Sequence, residues 1–172
     1  MGLPIRFREV APRLATGAYI LNAGLEKRHA DSETAQRLQG FASGAYPMFR
    51  HLKPAVFVRL LSTTEILLGA TLLTPFAPTA AAGAALTAFS GGLMGVYLKT
   101  PGMRKEGSLA PTPQGLTISK DVWMLGIGVG LLTDAATRRL RRSRRKPGGS
   151  ARSAPRRQRP ARQGRSRRRR PR

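Results

Sequence analysis

Apolar positions along this chain do not repeat on one face. From residue 66 to residue 98 they run together, 33 residues without one formal charge. As a single helix that run would measure about 50 Å at 1.5 Å per residue, against roughly 30 Å for the hydrocarbon core of a bilayer. Its middle holds TPFAPT (74–79), where Pro75 and Pro78 each remove a backbone donor and crowd the preceding turn. The pattern predicts a tight hairpin of two spanning helices, approximately 54–74 and 79–98, each of about 20 residues, the length a bilayer requires. Neither segment shows a polar face, which argues against a buried hairpin in a soluble bundle.

Weaker apolar segments flank the hairpin. Residues 14–25 and 122–133 each offer 12 uncharged positions, short of a span alone. Charged ends drawn toward headgroups extend them to approximately 13–28 and 118–136. Those ends are Arg13, Glu26 and Lys27 for the first, and Lys120, Asp121, Asp134 and Arg138 for the last. Trp123 and Tyr97 then fall near one interface, where amphipathic rings gather. Between the first two spans, Asp31 and Ser32 are helix-capping residues. Leu38, Phe41, Ala42 and Ala45 follow at helical spacing, as in a short helix lying on the surface. KTPGMRKEGSLAPTPQG, rich in Pro and Gly, reads as an extended loop. The expected fold is therefore all-α: an integral membrane four-helix bundle over 1–137 and a disordered Arg-rich tail over 138–172.

Charge sharpens that division. The 172 residues carry a net charge of +23, yet 18 of the 31 Lys and Arg lie in 138–172, without one acid. The other 13 face 8 acidic residues in a mildly basic body. With few apolar residues, the tail cannot offset the entropy of ordering. Arg138, Arg139, Arg141, Arg142, Arg144, Arg145 and Lys146 are expected to lie on anionic lipid headgroups, at roughly 1 kcal/mol per basic residue. The tail has no aromatic residue for base stacking and no RNA-binding motif, so nucleic acid is disfavoured beside lipid or an inert solvated tail. Lys and Arg near the spans slightly favour the terminal side, which places both termini in the cytoplasm. No cleavable leader is evident in MGLPIRFREVAPR, which lacks an apolar core. The chain has no Cys, which removes disulfides, thiolate metal sites and dithiol chemistry. Its two histidines, His29 and His51, are too few for a protein-only metal site without carboxylate help.

Three stretches carry a family resemblance. RLATGAYILNAGLEK (13–27) resembles the first helix of the DoxX-like family, with its Arg, its small residues and a Gly-x-x-Lys ending matched by Gly24 and Lys27. STTEILLGATLLTPFAPTAAAGAALTAFSGGL (62–93) resembles the family's central hairpin, with a Glu before an apolar run and a Pro-containing turn. KDVWMLGIGVGLL (120–132) is similar to its fourth helix. The resemblance covers 13–137 and rests on order and spacing. It implies a multi-pass protein of the bacterial cytoplasmic membrane. Some relatives are linked to quinone-coupled oxidation of thiosulfate or to membrane oxidoreductase assemblies handling oxidative stress. The implied role is an accessory subunit of a membrane redox system rather than an enzyme on its own; a small-molecule or proton carrier using the Glu65 group and a structural membrane anchor are the alternatives. No bound-cofactor motif is evident, and a membrane quinone is the guest the resemblance admits. Membrane oxidoreductases and a second copy of the chain, as a homo-oligomer, are the implied partners. The Arg-rich tail departs from the family pattern.

Glu65 is the residue that asks for chemistry. It lies about midway in the second expected span, roughly 16 Å from its outer end. Ionised and unpaired there it would cost at least about 2.5 kcal/mol, so it must be protonated, paired or wet. Asn22, Glu26 and Lys27 on the first span are the available partners, with Asp121 at the mouth. Asn22 and Glu26, four apart, share a face. Arg59 projects elsewhere. Two accounts stand: structural glue between helices, or a site handling protons, quinone or a small molecule. Gly83, Thr87, Gly91 and Gly95, like Gly126 and Gly130, read as small-residue stripes for close helix packing.

Overall fold

The computed structural model describes residues 7–145. The helices are α1 (Phe7–Lys27), α2 (Ser32–Ala45), α3 (Pro54–Leu73), α4 (Thr79–Lys99), α5 (Leu116–Ser119) and α6 (Val122–Arg145), with a 3-10 turn over Pro47–His51. Among the described residues the β-type pairing is confined to one isolated bridge, Arg104 with Pro111. Three segments, Pro54–Leu73, Thr79–Lys99 and Leu116–Arg141, are long and apolar enough to cross a membrane. The two central apolar helices fall within one residue of their expected bounds, with Pro54 opening α3 and Thr79 opening α4 after the proline turn, but they pack on α1 and α6 rather than tightly on each other.

The other helices depart from expectation in instructive ways. α1 begins at Phe7 rather than near residue 13 and includes Pro12. It carries Arg8, Glu9, Arg13, Glu26 and Lys27, which keeps it out of the apolar set. α6 continues through Arg145, past the boundary expected at 137, and the short α5 precedes it. The rest of the tail, from Lys146 onward, lies outside the described residues. α2 keeps one face exposed and buries the other. Ala35, Ala42 and Ala45 are buried, because small side chains let α2 wedge against α3 and α4. Its start is set by Asp31, whose Oδ1 accepts from the Thr34 backbone N–H at 2.8 Å. That hydrogen bond holds the exposed Asp31 carboxyl below its ordinary range.

Two helix pairs carry most of the packing between helices. α1 packs along α3, and α4 along α6. The pairs meet through a core of Ile20, Leu68, Leu72, Ala82, Leu86, Met124 and Leu131. A second core, Ala35, Ala42, Phe57 and Val58, joins α2 to α3 at the other end. Glycine sets both intimate contacts. A Cβ on Gly69 would lie 2.7 Å from the Leu21 backbone nitrogen, and one on Gly128 would lie 2.8 Å from that of Thr87. Backbones that close leave no room for a side chain. The expected stripes are thus half right. Gly83 and Thr87 do face α6, but their partner is Gly128, whereas Gly91, Gly126 and Gly130 face open space. Spacing identified a small face, and the phase of the helix crossing chose a different one. Gly95 serves another neighbour, the Tyr46 hydroxyl.

Tyr97 lies two residues from the end of α4. It is 4% exposed, and its hydroxyl donates to the Leu109 carbonyl at 2.6 Å, pinning the loop before α5. Trp123 meets Tyr19 of α1 edge to face, with centroids 6.0 Å apart.

Candidate functional site

The site around Glu65 is built by the α1–α3 contact. A Cβ on Gly24 would lie 2.9 Å from the Glu65 Cβ and from the Ile66 nitrogen. Only glycine permits this approach. One turn earlier on α3, the Ser62 hydroxyl donates to the Gly24 carbonyl at 2.7 Å. α1 therefore ends at the height of Glu65, and its last residue, Lys27, reaches across. Lys27 Nζ lies 3.0 Å from Glu65 Oε1 and donates to the Ala23 carbonyl at 3.3 Å. A cation at a helix C-terminus also meets the negative end of the helix dipole. Asp121, half-buried just before α6, is close enough to act electrostatically on both Lys27 and Glu65.

Of the five residues singled out from sequence, Glu65 and Lys27 meet, and Asp121 acts on them only through its charge. The other two do not join them. Asn22 donates to Glu26 Oε1 at 2.7 Å, and both are exposed on α1. Their i,i+4 pairing is as expected, but that face turns away from α3. Arg59 is exposed and stays apart, as expected. The group is incompletely satisfied. Glu65 is 5% exposed, yet its Oε2 is buried without a hydrogen-bond partner among the described residues. A cleft of about 360 Å³, lined by Arg28, His29, Arg59, Ser62 and Thr63, opens one turn away on α3.

A second buried charge cluster sits at the opposite end of α1. Arg13 is 1% exposed. Its Nε donates to Leu72 O at 2.9 Å, its Nη1 to Ala77 O at 3.2 Å, and its Nη2 to Thr71 O and Thr74 O at 3.0 and 2.9 Å. These carbonyls close α3 and form the turn, where a helix leaves its acceptors without partners. Expected to reach for headgroups, Arg13 turns inward because four acceptors await it there. Glu9, 3% exposed, accepts from the Thr79 hydroxyl at 2.7 Å and pairs with Arg138 at 2.7 Å. Arg138 also lies 3.2 Å from Asp134, which pairs with Arg8. Arg138 is therefore not a lipid-facing member of the tail. Arg139 and Arg141 are exposed on α6, whereas Lys146 lies outside the described residues.

Among the described residues no group of three or more His, Asp or Glu could hold a metal ion. Compared with protein-family models, curated proteins and solved structures, the chain matches none. What the site can do is read from its chemistry: one ammonium and two carboxylates, with an acceptor oxygen left over.

Proposed function

We propose that the chain is a multi-pass membrane protein whose Lys27, Glu65 and Asp121 take up and release protons. The observation that carries this reading is Glu65, buried, paired through one oxygen and unpartnered at the other. Lys27 pairs with Glu65 and Asp121 adds a second negative charge to their surroundings, so a bound proton brings the three to neutrality, which a low-dielectric setting favours. Ionisable residues inside spanning helices commonly belong to proton relays. The neighbouring cleft, which includes the charged side chains of Arg28 and Arg59, supports access of water from one side.

In this reading all four long helices cross the bilayer. Sequence alone makes α1 the least convincing span. Its Arg13 and Glu9, however, are engaged within the bundle, which lowers the cost of placing them in hydrocarbon. Both termini then share one side, assigned to the cytoplasm, where Arg139, Arg141 and the tail meet anionic headgroups. The DoxX-like resemblance supplies a setting, an accessory subunit of a quinone-linked redox system. Quinone reduction and oxidation exchange protons with the medium, and the Glu65 group would be the port.

The test is proton flux in vesicles containing the full chain. Flux in the wild type, lost in Glu65→Gln at unchanged folded yield, is the expected result. Equal flux in both, or none in the wild type, would return Glu65 to a structural role.

A further inference from the structure

By wedging between α3 and α4, α2 leaves an apolar groove of about 460 Å³. That volume lies within the ~300–1,000 Å³ of small-molecule sites. Leu38, Tyr46, Phe57, Leu61, Phe89 and Leu93 form much of its wall. Tyr46, Phe49 and Phe57 stand edge to face in a row, with centroids 6.0 and 5.3 Å apart, a mutually supporting arrangement. The one hydroxyl there is already used, since Tyr46 donates to the Gly92 carbonyl at 3.0 Å. The groove therefore offers a guest hydrocarbon contact and little else.

The charge beside it narrows the choice of guest. Lys99 Nζ lies 5.0 Å from the Tyr46 ring centroid. Arg50 and His51 share the 3-10 turn with Met48 and Phe49, two wall residues, and Lys53 follows. Lys99, Arg50, His51 and Lys53 are all exposed. No acidic residue occurs in 34–64 or in 79–99, the segments that supply every wall residue except Ile118. Hydrocarbon walls under a cationic rim complement a long-chain anion.

We propose that the groove holds an acyl chain of an anionic phospholipid, with its phosphate at Lys99 and Arg50. The assignment rests on the membrane reading above but not on proton exchange at Glu65. Gly92 supplies the means to test it. Gly92 lines the groove, and a Cβ built on it meets nothing within 4 Å. A larger side chain there enters empty space and occupies the guest's volume. Gly91 also faces open space but is not a wall residue, so it is the matched control.

The full chain, extracted from membranes in mild detergent, would be scored for bound lipid by native mass spectrometry. Wild type and Gly91→Leu retain an anionic phospholipid, whereas Gly92→Leu loses it. Lys99→Gln retains about fivefold less, the effect of one basic residue near a surface. All four chains carry the same tail, so lipid held by the tail does not separate them. Equal retention in Gly91→Leu and Gly92→Leu would overturn the proposal. So would a zwitterionic lipid or a quinone recovered in place of the anionic one. Recovery in the membrane fraction is scored separately: a membrane-bound chain with an empty groove overturns only the lipid assignment, and a soluble chain overturns both.

Discussion

Arg13 and Glu65 are both charged side chains taken out of solvent by the same pair of helices, and they are treated in opposite ways. Arg13 reaches four carbonyls at the end of α3 and in the turn. Nearby Glu9 accepts from Thr79 through one oxygen and ion-pairs with Arg138 through the other, which makes no hydrogen bond among the described residues. Glu65, at the other end of α1, has one oxygen on Lys27 and one without a partner. Satisfied charge acts as a strut that fixes the α3–α4 turn against α1. Charge left partly unsatisfied is free to respond to a proton. The lesson is to ask of each buried charge how many of its hydrogen-bonding atoms are used, since burial alone does not separate scaffold from site.

The comparison can be broken most severely at the strut. Arg13→Met leaves buried acceptors unmet, each at ~1–3 kcal/mol, so the loss of stability is expected to exceed roughly 4 kcal/mol. Failure to recover monodisperse chain in detergent is the readout, and a wild-type thermal midpoint would refute the strut. Next comes Lys27→Met, which strands the Glu65 carboxylate and costs roughly 3 kcal/mol at neutral pH. Adding Glu65→Gln to that variant removes the stranded charge. Most of the lost midpoint should return, and a double variant as unstable as the single one would dissolve the pairing. A smaller effect, about 2 kcal/mol, is expected for Gly24→Ala, whose methyl overpacks the α1–α3 contact. Gly126→Ala, in open space, should be neutral or stabilising by comparison. Equal midpoints for the two would mean that α1 and α3 are not in close contact at Glu65.

How far these features could be read beforehand depends on how local their causes are. The two central helices were legible because 33 uncharged residues broken by two prolines admit few other conformations. Glu65 was legible because a carboxylate among apolar neighbours demands a partner, and Lys27 was within the set of candidates. Arg13 was misread. Its acceptors lie 58 to 64 residues away, and nothing in 7–27 announces them. Asn22 and Glu26 show the converse limit: i,i+4 spacing predicted their contact correctly but not which way their face of α1 turns. The same gap in phase moved the α4–α6 contact from Gly126 and Gly130 to Gly128. Periodicity gives a face, and only packing chooses its neighbour.

The central claim, that Glu65 belongs to a group that binds a proton, is tested most directly by infrared titration of the full chain in lipid vesicles. A protonated-carboxyl band should appear as pH is lowered, and Glu65→Gln should remove or displace it while the helical amide band stays unchanged. A band identical in both proteins, or no carboxyl band at any pH, would contradict the account.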